Sequence, residues 1–153
     1  HERAARFIRR GYPLEIYDRA VEELKNRNIK VVTHLIFGLP GESKKDILDS
    51  VKYVANTNTW GVKFHLLYIQ KGTDLYEYYL KNPFTILNRE EYISLVVDGL
   101  ELLPKEMVVH RVTGDGKKDL LFEPRWSLDK LRVLSGIDQE LKRRNSYQGL
   151  KYE

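Results

Sequence analysis

Two periodicities organise the apolar residues of this chain. Ala4, Ala5 and Ile8 give the apolar edge of a short first helix that stops at Gly11. Pro13 then stands where a first helical turn tolerates it. Tyr17, Ala20, Val21 and Leu24 follow at i, i+3, i+4, i+7, with Glu22, Glu23, Lys25 and Arg27 facing outward. That spacing predicts a second helix, closed by Asn26-Arg27-Asn28. The period then changes. Residues 29–37 (Ile-Lys-Val-Val-Thr-His-Leu-Ile-Phe) are β-branched and nearly continuously apolar, as a parallel strand covered on both faces should be. Gly38-Leu39-Pro40-Gly41-Glu42 is a loop. Ser43, with Asp46 three residues on, reads as the capping pair of a helix whose stripe is Ile47, Val51, Val54 and Ala55.

Asn56-Thr57-Asn58-Thr59 breaks that helix, and residues 62–69 read as a second strand. A strand–helix–strand unit of this length predicts a right-handed parallel crossover. Asp74 to Lys81 reads as a short Tyr-rich helix, and Arg89 to Leu103 as a longer one ended by Pro104. Met107 to Val112 is a third strand. Gly114-Asp115-Gly116 is a flexible loop. Ser127 is read as the cap of a last helix with Leu128, Leu131, Val133, Leu134, Ile137 and Leu141 as its apolar positions. The basic run Lys142-Arg143-Arg144 suits that helix's C-terminus. The order of elements predicts an α/β fold with a small parallel sheet of about three strands. The edges of such a sheet are exposed unless upstream residues or a second copy of the chain cover them, so self-association is expected.

Composition narrows the chemistry. The chain has 153 residues and no cysteine. It is long enough for one core without staples. It has no disulfide framework, no thiolate nucleophile and no Cys-ligated zinc or iron–sulfur cluster of its own. Apolar residues at 42% and charged residues at 31% fit a folded domain rather than a disordered one. The net charge of +4 is mildly basic, compatible with a polyanionic partner or with an ordinary surface. No apolar run reaches the length of a membrane span, and the charged start has no signal-peptide core. A first residue of His rather than Met leads us to expect a fragment.

Four stretches carry candidate chemistry. The loop Gly38 to Ser43 leaves the carboxyl end of a predicted parallel strand and opens a helix, where α/β folds bind ligands. Its glycines permit close backbone approach; the bland alternative is a tight turn with a capped helix. It does not end in the Gly-Lys-Ser/Thr of a P-loop. His34 and His65 sit inside the first two strands and point into one cavity if those strands are neighbours. Two imidazoles alone are a thin metal-ligand set, and core histidines explain them equally. His110-Arg111-Val112-Thr113-Gly114-Asp115 gathers an imidazole, a guanidinium and a carboxylate at a strand end, either an anionic-substrate site or a surface ion pair of Arg111 with Asp115. Trp126, between Arg125 and Ser127, can stack a base or pack a cap. Tyr76, Tyr78 and Tyr79 with Lys71 and Lys81 give an aromatic-basic surface that fits RNA or a partner helix.

The run Thr33-His34-Leu35-Ile36-Phe37-Gly38-Leu39-Pro40-Gly41-Glu42-Ser43 resembles the fifth-strand motif of radical S-adenosylmethionine (radical SAM) enzymes. Its Gly-Leu-Pro-Gly-Glu form is similar to that of the branch holding the Elongator catalytic subunit and oxygen-independent coproporphyrinogen oxidase. Arg9-Arg10-Gly11-Tyr12, Phe64-His65-Leu66-Leu67 with Lys71-Gly72-Thr73, His110 to Asp115, Pro124-Arg125-Trp126-Ser127 with Lys130, and Gln148-Gly149 with Tyr152 resemble, in this order, one bacterial subfamily of Fe–S oxidoreductases. The resemblance covers nearly the whole chain.

That resemblance implies the C-terminal portion of a partial TIM-type (βα) barrel. Residues 1–112 would be the second half of the barrel and 113–153 an extension of loop plus helix. The family holds a 4Fe-4S cluster on a CxxxCxxC loop after its first strand, and this chain departs from the pattern in having no cysteine. The implied parent enzyme reduces that cluster, cleaves S-adenosylmethionine to a 5′-deoxyadenosyl radical and abstracts hydrogen from a substrate. The fragment alone is expected to be inactive and to bind neither cofactor tightly. Ile36, Gly38 and Leu39 would sit beside the adenosine, Gly41 and Glu42 would shape the loop around it, and His65 and Leu67 would line the adenine or the radical chamber. His110, Arg111, Asp115 and Trp126 would lie nearer the substrate. The implied partners are the missing N-terminal half and, from relatives that modify wobble uridines, tRNA. No membrane is implied, and the expected location is the cytoplasm. The competing expectation is a non-catalytic α/β RNA-binding or scaffold module.

Overall fold

The computed structural model describes residues 2–114 and 116–153. Helices α1 (Glu2–Phe7) and α2 (Leu14–Asn26) lead into strand β1 (Val32–Phe37), helix α3 (Lys44–Ala55) and strand β2 (Gly61–Leu66). After β3 (Ile69–Gln70) come α4 (Asp74–Lys81), α5 (Arg89–Glu101), β4 (Val108–Arg111), β5 (Leu121–Glu123) and α6 (Lys130–Arg143). β1, β2 and β4 form a parallel sheet in that order. The predicted α/β architecture with three parallel strands and flanking helices is the one observed.

Local chemistry sets the boundaries. β1 starts at Val32 rather than Ile29 because the end of α2 takes up the intervening residues. Asn28 lies in the left-handed region (φ 57), and the Ile29 amide donates back to the Leu24 carbonyl at 2.9 Å. α3 begins with the expected reciprocal cap. The Asp46 amide donates to Ser43 Oγ at 3.2 Å, and the Ser43 amide donates to Asp46 Oδ2 at 2.8 Å.

Two predicted elements are corrected. The strand expected over 62–69 is two strands. The Leu67 amide donates to the Phe37 carbonyl, after which the chain leaves the parallel sheet. Ile69 and Gln70 then pair antiparallel with β5, which the pattern did not reveal. Ile69 is as buried as the core-facing residues of β2, so the apolar run carries no mark of the break. The last helix starts at Lys130, capped by Asp129, and not at Ser127. Ser127 belongs to a 3₁₀ turn (Arg125–Leu128) and donates its hydroxyl to Pro124. With that phase, Val133 and Ile137 face the core, while Leu128 and Leu134 are exposed and Leu131 is 81% exposed.

The helices cover one face of the sheet. Phe37, Val62, Phe64 and Leu66 pack against Val51 and Val54 of α3, Tyr92 and Val96 of α5, and Val133 and Ile137 of α6. An ionic knot ties these helices together. Asp98 of α5 receives Lys44 of α3 at 2.5 Å and Arg144, just past α6, at 2.7 Å. Arg144 also donates to Glu140 and to Ser94 Oγ. The C-terminal residues return as a strap. Gln148 donates to the carbonyls of Pro104 and Met107, both at 2.7 Å, and the Gly149 amide donates to Leu100. Lys151 and Ser146 engage the buried carboxylate of Glu101.

Candidate functional site

Side chains alternate across a strand, so the face turned away from the helices carries the other half of each strand. On β1 these are His34 and Ile36, both exposed, and on β2 they are Lys63 and His65, both half-buried. Register places them in layers. His34 pairs with Lys63, and Lys63 pairs with Arg111 of β4 beyond a register shift that skips His110. The next layer towards the carboxyl edge pairs Ile36 with His65. The His34 and His65 rings stack at 5.2 Å, so the two strand histidines do share one space.

The rim above this face is the Gly38 to Glu42 loop. Gly38 (φ 91) and Gly41 (φ 76) both take the left-handed backbone that side chains disfavour, and a Cβ on Gly38 would stand 3.2 Å from Leu87. The loop therefore turns with its backbone bare. Glu42 points inward from it. Its Oε2 is buried and meets no hydrogen-bond donor among the described residues. Burial holds its carboxyl above the ordinary range, and the nearby Asp46 adds to this. Leu39 is buried beneath the loop, and Leu67 stands at the end of β2, its amide on Phe37. Helix α1 braces the rim, with Arg3 donating to the Gly41 carbonyl, and reaches α4 through Phe7 against Tyr78.

His34 is held below its ordinary value near 6.5, first by burial and then by Lys63, Arg111 and His110. His110 lies at the amino end of the sheet, edge-on to Trp60 at 5.1 Å and against Gly61. The Trp126 indole N–H donates to the Leu87 carbonyl at 3.1 Å, and its ring packs on Tyr92. The tyrosines of α4 pack on Phe7, Phe84 and Phe122. Asp115, read with Arg111 from the sequence, lies outside the described residues. Lys63 is the member of this face that sequence reasoning missed, because only the register of β2 against β1 places it beside His34.

The geometry thus brings Ile36, Gly38, Gly41, Glu42, His65 and Leu67 to one edge of a parallel sheet. Residues 59–143 match the model of the Radical_SAM C-terminal domain. The chain belongs to that family. This Radical_SAM C-terminal domain is 42% identical over 149 residues to the protein YtqA of Bacillus subtilis, covering 97% of this chain and 46% of YtqA. It is 27% identical over 112 residues to a tRNA uridine(34) acetyltransferase of Methanocaldococcus jannaschii, covering 71% of this chain and 21% of that enzyme. Its fold matches the solved structure of Elp3 from Methanocaldococcus infernus with a TM-score of 0.80 at 19% identity, over 97% of this chain and 35% of that one. The chain spans about half the length of relatives such as YtqA.

Proposed function

We propose that this chain is the cofactor- and substrate-facing half of a radical SAM oxidoreductase acting on RNA, with tRNA as the substrate class. The observation that carries the reading is the rim. A glycine loop with bare backbone, an exposed Ile36 and an inward, unpartnered Glu42 oxygen meet at the carboxyl edge of parallel strands, within a chain of this family. Ligands of α/β folds bind at that edge. In this reading the sheet is the second half of a partial TIM-type barrel, with residues 113–153 as its extension. The free edge of β1 is covered by the N-terminal half, and the protein works in the cytoplasm. The RNA assignment rests on relatives named as tRNA uridine(34) acetyltransferases and as Elongator proteins.

The two family cofactors fare differently here. The rim fits S-adenosylmethionine. Ile36, with Leu67, offers apolar surface to the adenosine, and Gly38 and Gly41 let the backbone approach it. Glu42 shapes the loop around it, and His65 closes the inner side. When bound beside a reduced cluster, S-adenosylmethionine supplies the power to abstract a hydrogen atom. The residues present do not fit the 4Fe-4S cluster. The chain has no cysteine, and no group of three His, Asp or Glu side chains among the described residues is placed for a metal. The cluster is therefore assigned to the N-terminal half.

The test uses the complete gene product, reconstituted with iron and sulfide under anaerobic conditions. The reading expects 5′-deoxyadenosine under reducing conditions, rising when tRNA lacking its wobble modification is added. A protein with a reduced cluster that forms no 5′-deoxyadenosine contradicts it.

A further inference from the structure

The antiparallel pair β3–β5 brings together two basic segments that are far apart in the sequence. The Lys71 amide donates to the Leu120 carbonyl at 2.8 Å, and the Leu120 and Leu121 amides donate to the Lys117 carbonyl at 3.0 and 2.9 Å. Lys71 therefore lies beside the turn that carries Lys117 and Lys118, and all three residues are exposed. The approach to this turn is closely packed. A Cβ on Gly114 would stand 2.5 Å from the Tyr68 ring, and one on Gly116 3.5 Å from Leu121, so bare backbone lets the stretch close on its neighbours. Behind the ribbon, Tyr76 and Tyr79 of α4 pack on Phe122 of β5. The tyrosines that the sequence set beside Lys71 thus support the ribbon, while its lysines stand in solvent.

β3 follows the carboxyl end of β2, and the turn follows the carboxyl end of β4. In a parallel sheet those ends share one edge, the edge that carries the Gly38–Glu42 rim. Several helix lysines are matched to carboxylates: Lys44 to Asp98, Lys45 to Asp49 and Lys142 to Asp138. Lys71, Lys117 and Lys118 make no ion pair among the described residues, and across residues 69–73 and 116–121 only Asp119 is acidic. Like charges grouped in this way repel and do not stabilise the ribbon that carries them.

We propose that Lys71, Lys117 and Lys118 form a phosphate-binding lip that holds the backbone of the RNA substrate at the mouth of the site. This rests on the reading of the substrate as RNA. Each ammonium is a point charge with three donors on a flexible stem, which suits a phosphate of any nucleotide. Such contacts position a nucleic acid and carry no sequence information. The lip therefore fixes where the strand crosses the rim and leaves the choice of nucleotide to the groups below it.

The test measures binding of an unmodified tRNA transcript by the complete gene product from about 50 to about 200 mM salt, with neither S-adenosylmethionine nor reductant. Each phosphate contact releases counterions, so log affinity falls linearly with log salt. Replacing all three lysines together (Lys71→Gln, Lys117→Gln, Lys118→Gln) should weaken binding about tenfold or more and reduce the slope by about two. Arginine at the same three positions should keep both near wild type. A control of equal charge takes Lys25→Gln, Lys52→Gln and Lys105→Gln, which lie just before the amino ends of the strands. It should change the slope by less than about one. Wild-type binding that the lip variant retains with an unchanged slope overturns the proposal, as does an equal loss in the control. A wild-type protein that binds no tRNA overturns the RNA reading itself, and the lip with it, so the two failures are distinguishable.

Discussion

His34 and His65 stack at 5.2 Å across neighbouring strands, and His34 stands in register with Lys63. His34 contributes to the loss of stability below neutral pH. Burial first, then Lys63, Arg111 and His110, lower the His34 pKa in the folded state. The unfolded chain takes up the proton near 6.5, before the folded one does. Stability is then complete above about 6.5 and falls as pH drops through the folded value. Urea unfolding between pH 7.5 and 5 should show this loss, and His34→Gln should reduce it. An unchanged slope in His34→Gln assigns the loss to other groups.

The rim depends on bare backbone at Gly38. Gly38→Val puts a branched side chain at φ 91 and within 3.2 Å of Leu87. A cost of about 2 kcal/mol is expected in urea unfolding, from the left-handed backbone and the contact together. Gly72, also at positive φ (78) but facing open space, is the control: Gly72→Ala should cost about 1 kcal/mol.

Arg144 joins α6 to α5 through Asp98, Ser94 and Glu140 and is only 19% exposed. Arg144→Met leaves Asp98 with Lys44 alone. A loss of about 2–3 kcal/mol is expected by chemical denaturation. The Glu140 carboxyl, bonded by Arg143 and Arg144, is held down to about 2, so its contribution is present above its unfolded value near 4.5 and disappears only in strong acid.

Helix phase supplies a sharper comparison. Leu131 is 81% exposed and Val133 is buried, although both belong to the apolar set of the sequence. Leu131→Glu should change stability by less than about 0.5 kcal/mol, while Val133→Ala should cost about 1–3 kcal/mol. Equal costs would contradict the start of α6 at Lys130.

These comparisons show what the sequence carries. Local signals were legible where one residue type does one job. Ser43 with Asp46 capped α3 as expected, Pro104 ended α5, and the β-branched run before Phe37 formed a parallel strand. The turn at Gly38–Glu42 was legible because its glycines can take the left-handed backbone seen there. Signals failed where two elements share one property. Ile69 is as apolar as β2 but pairs elsewhere, and both Ser127 and Asp129 are competent caps, with only tertiary packing deciding between them. Lys63 was invisible for a third reason: a lone lysine in a strand gains meaning only from the register that sets it beside His34.

The central claim, that the rim from Ile36 to Glu42 with His65 faces the adenosine, is tested most directly by photolabelling. The complete, anaerobically reconstituted gene product is irradiated with an azido-adenine analogue of S-adenosylmethionine, and labelled peptides are mapped by mass spectrometry. The account expects label on the segments spanning residues 34–42 and 63–67, displaced by excess S-adenosylmethionine. Displaceable label confined to other segments contradicts it.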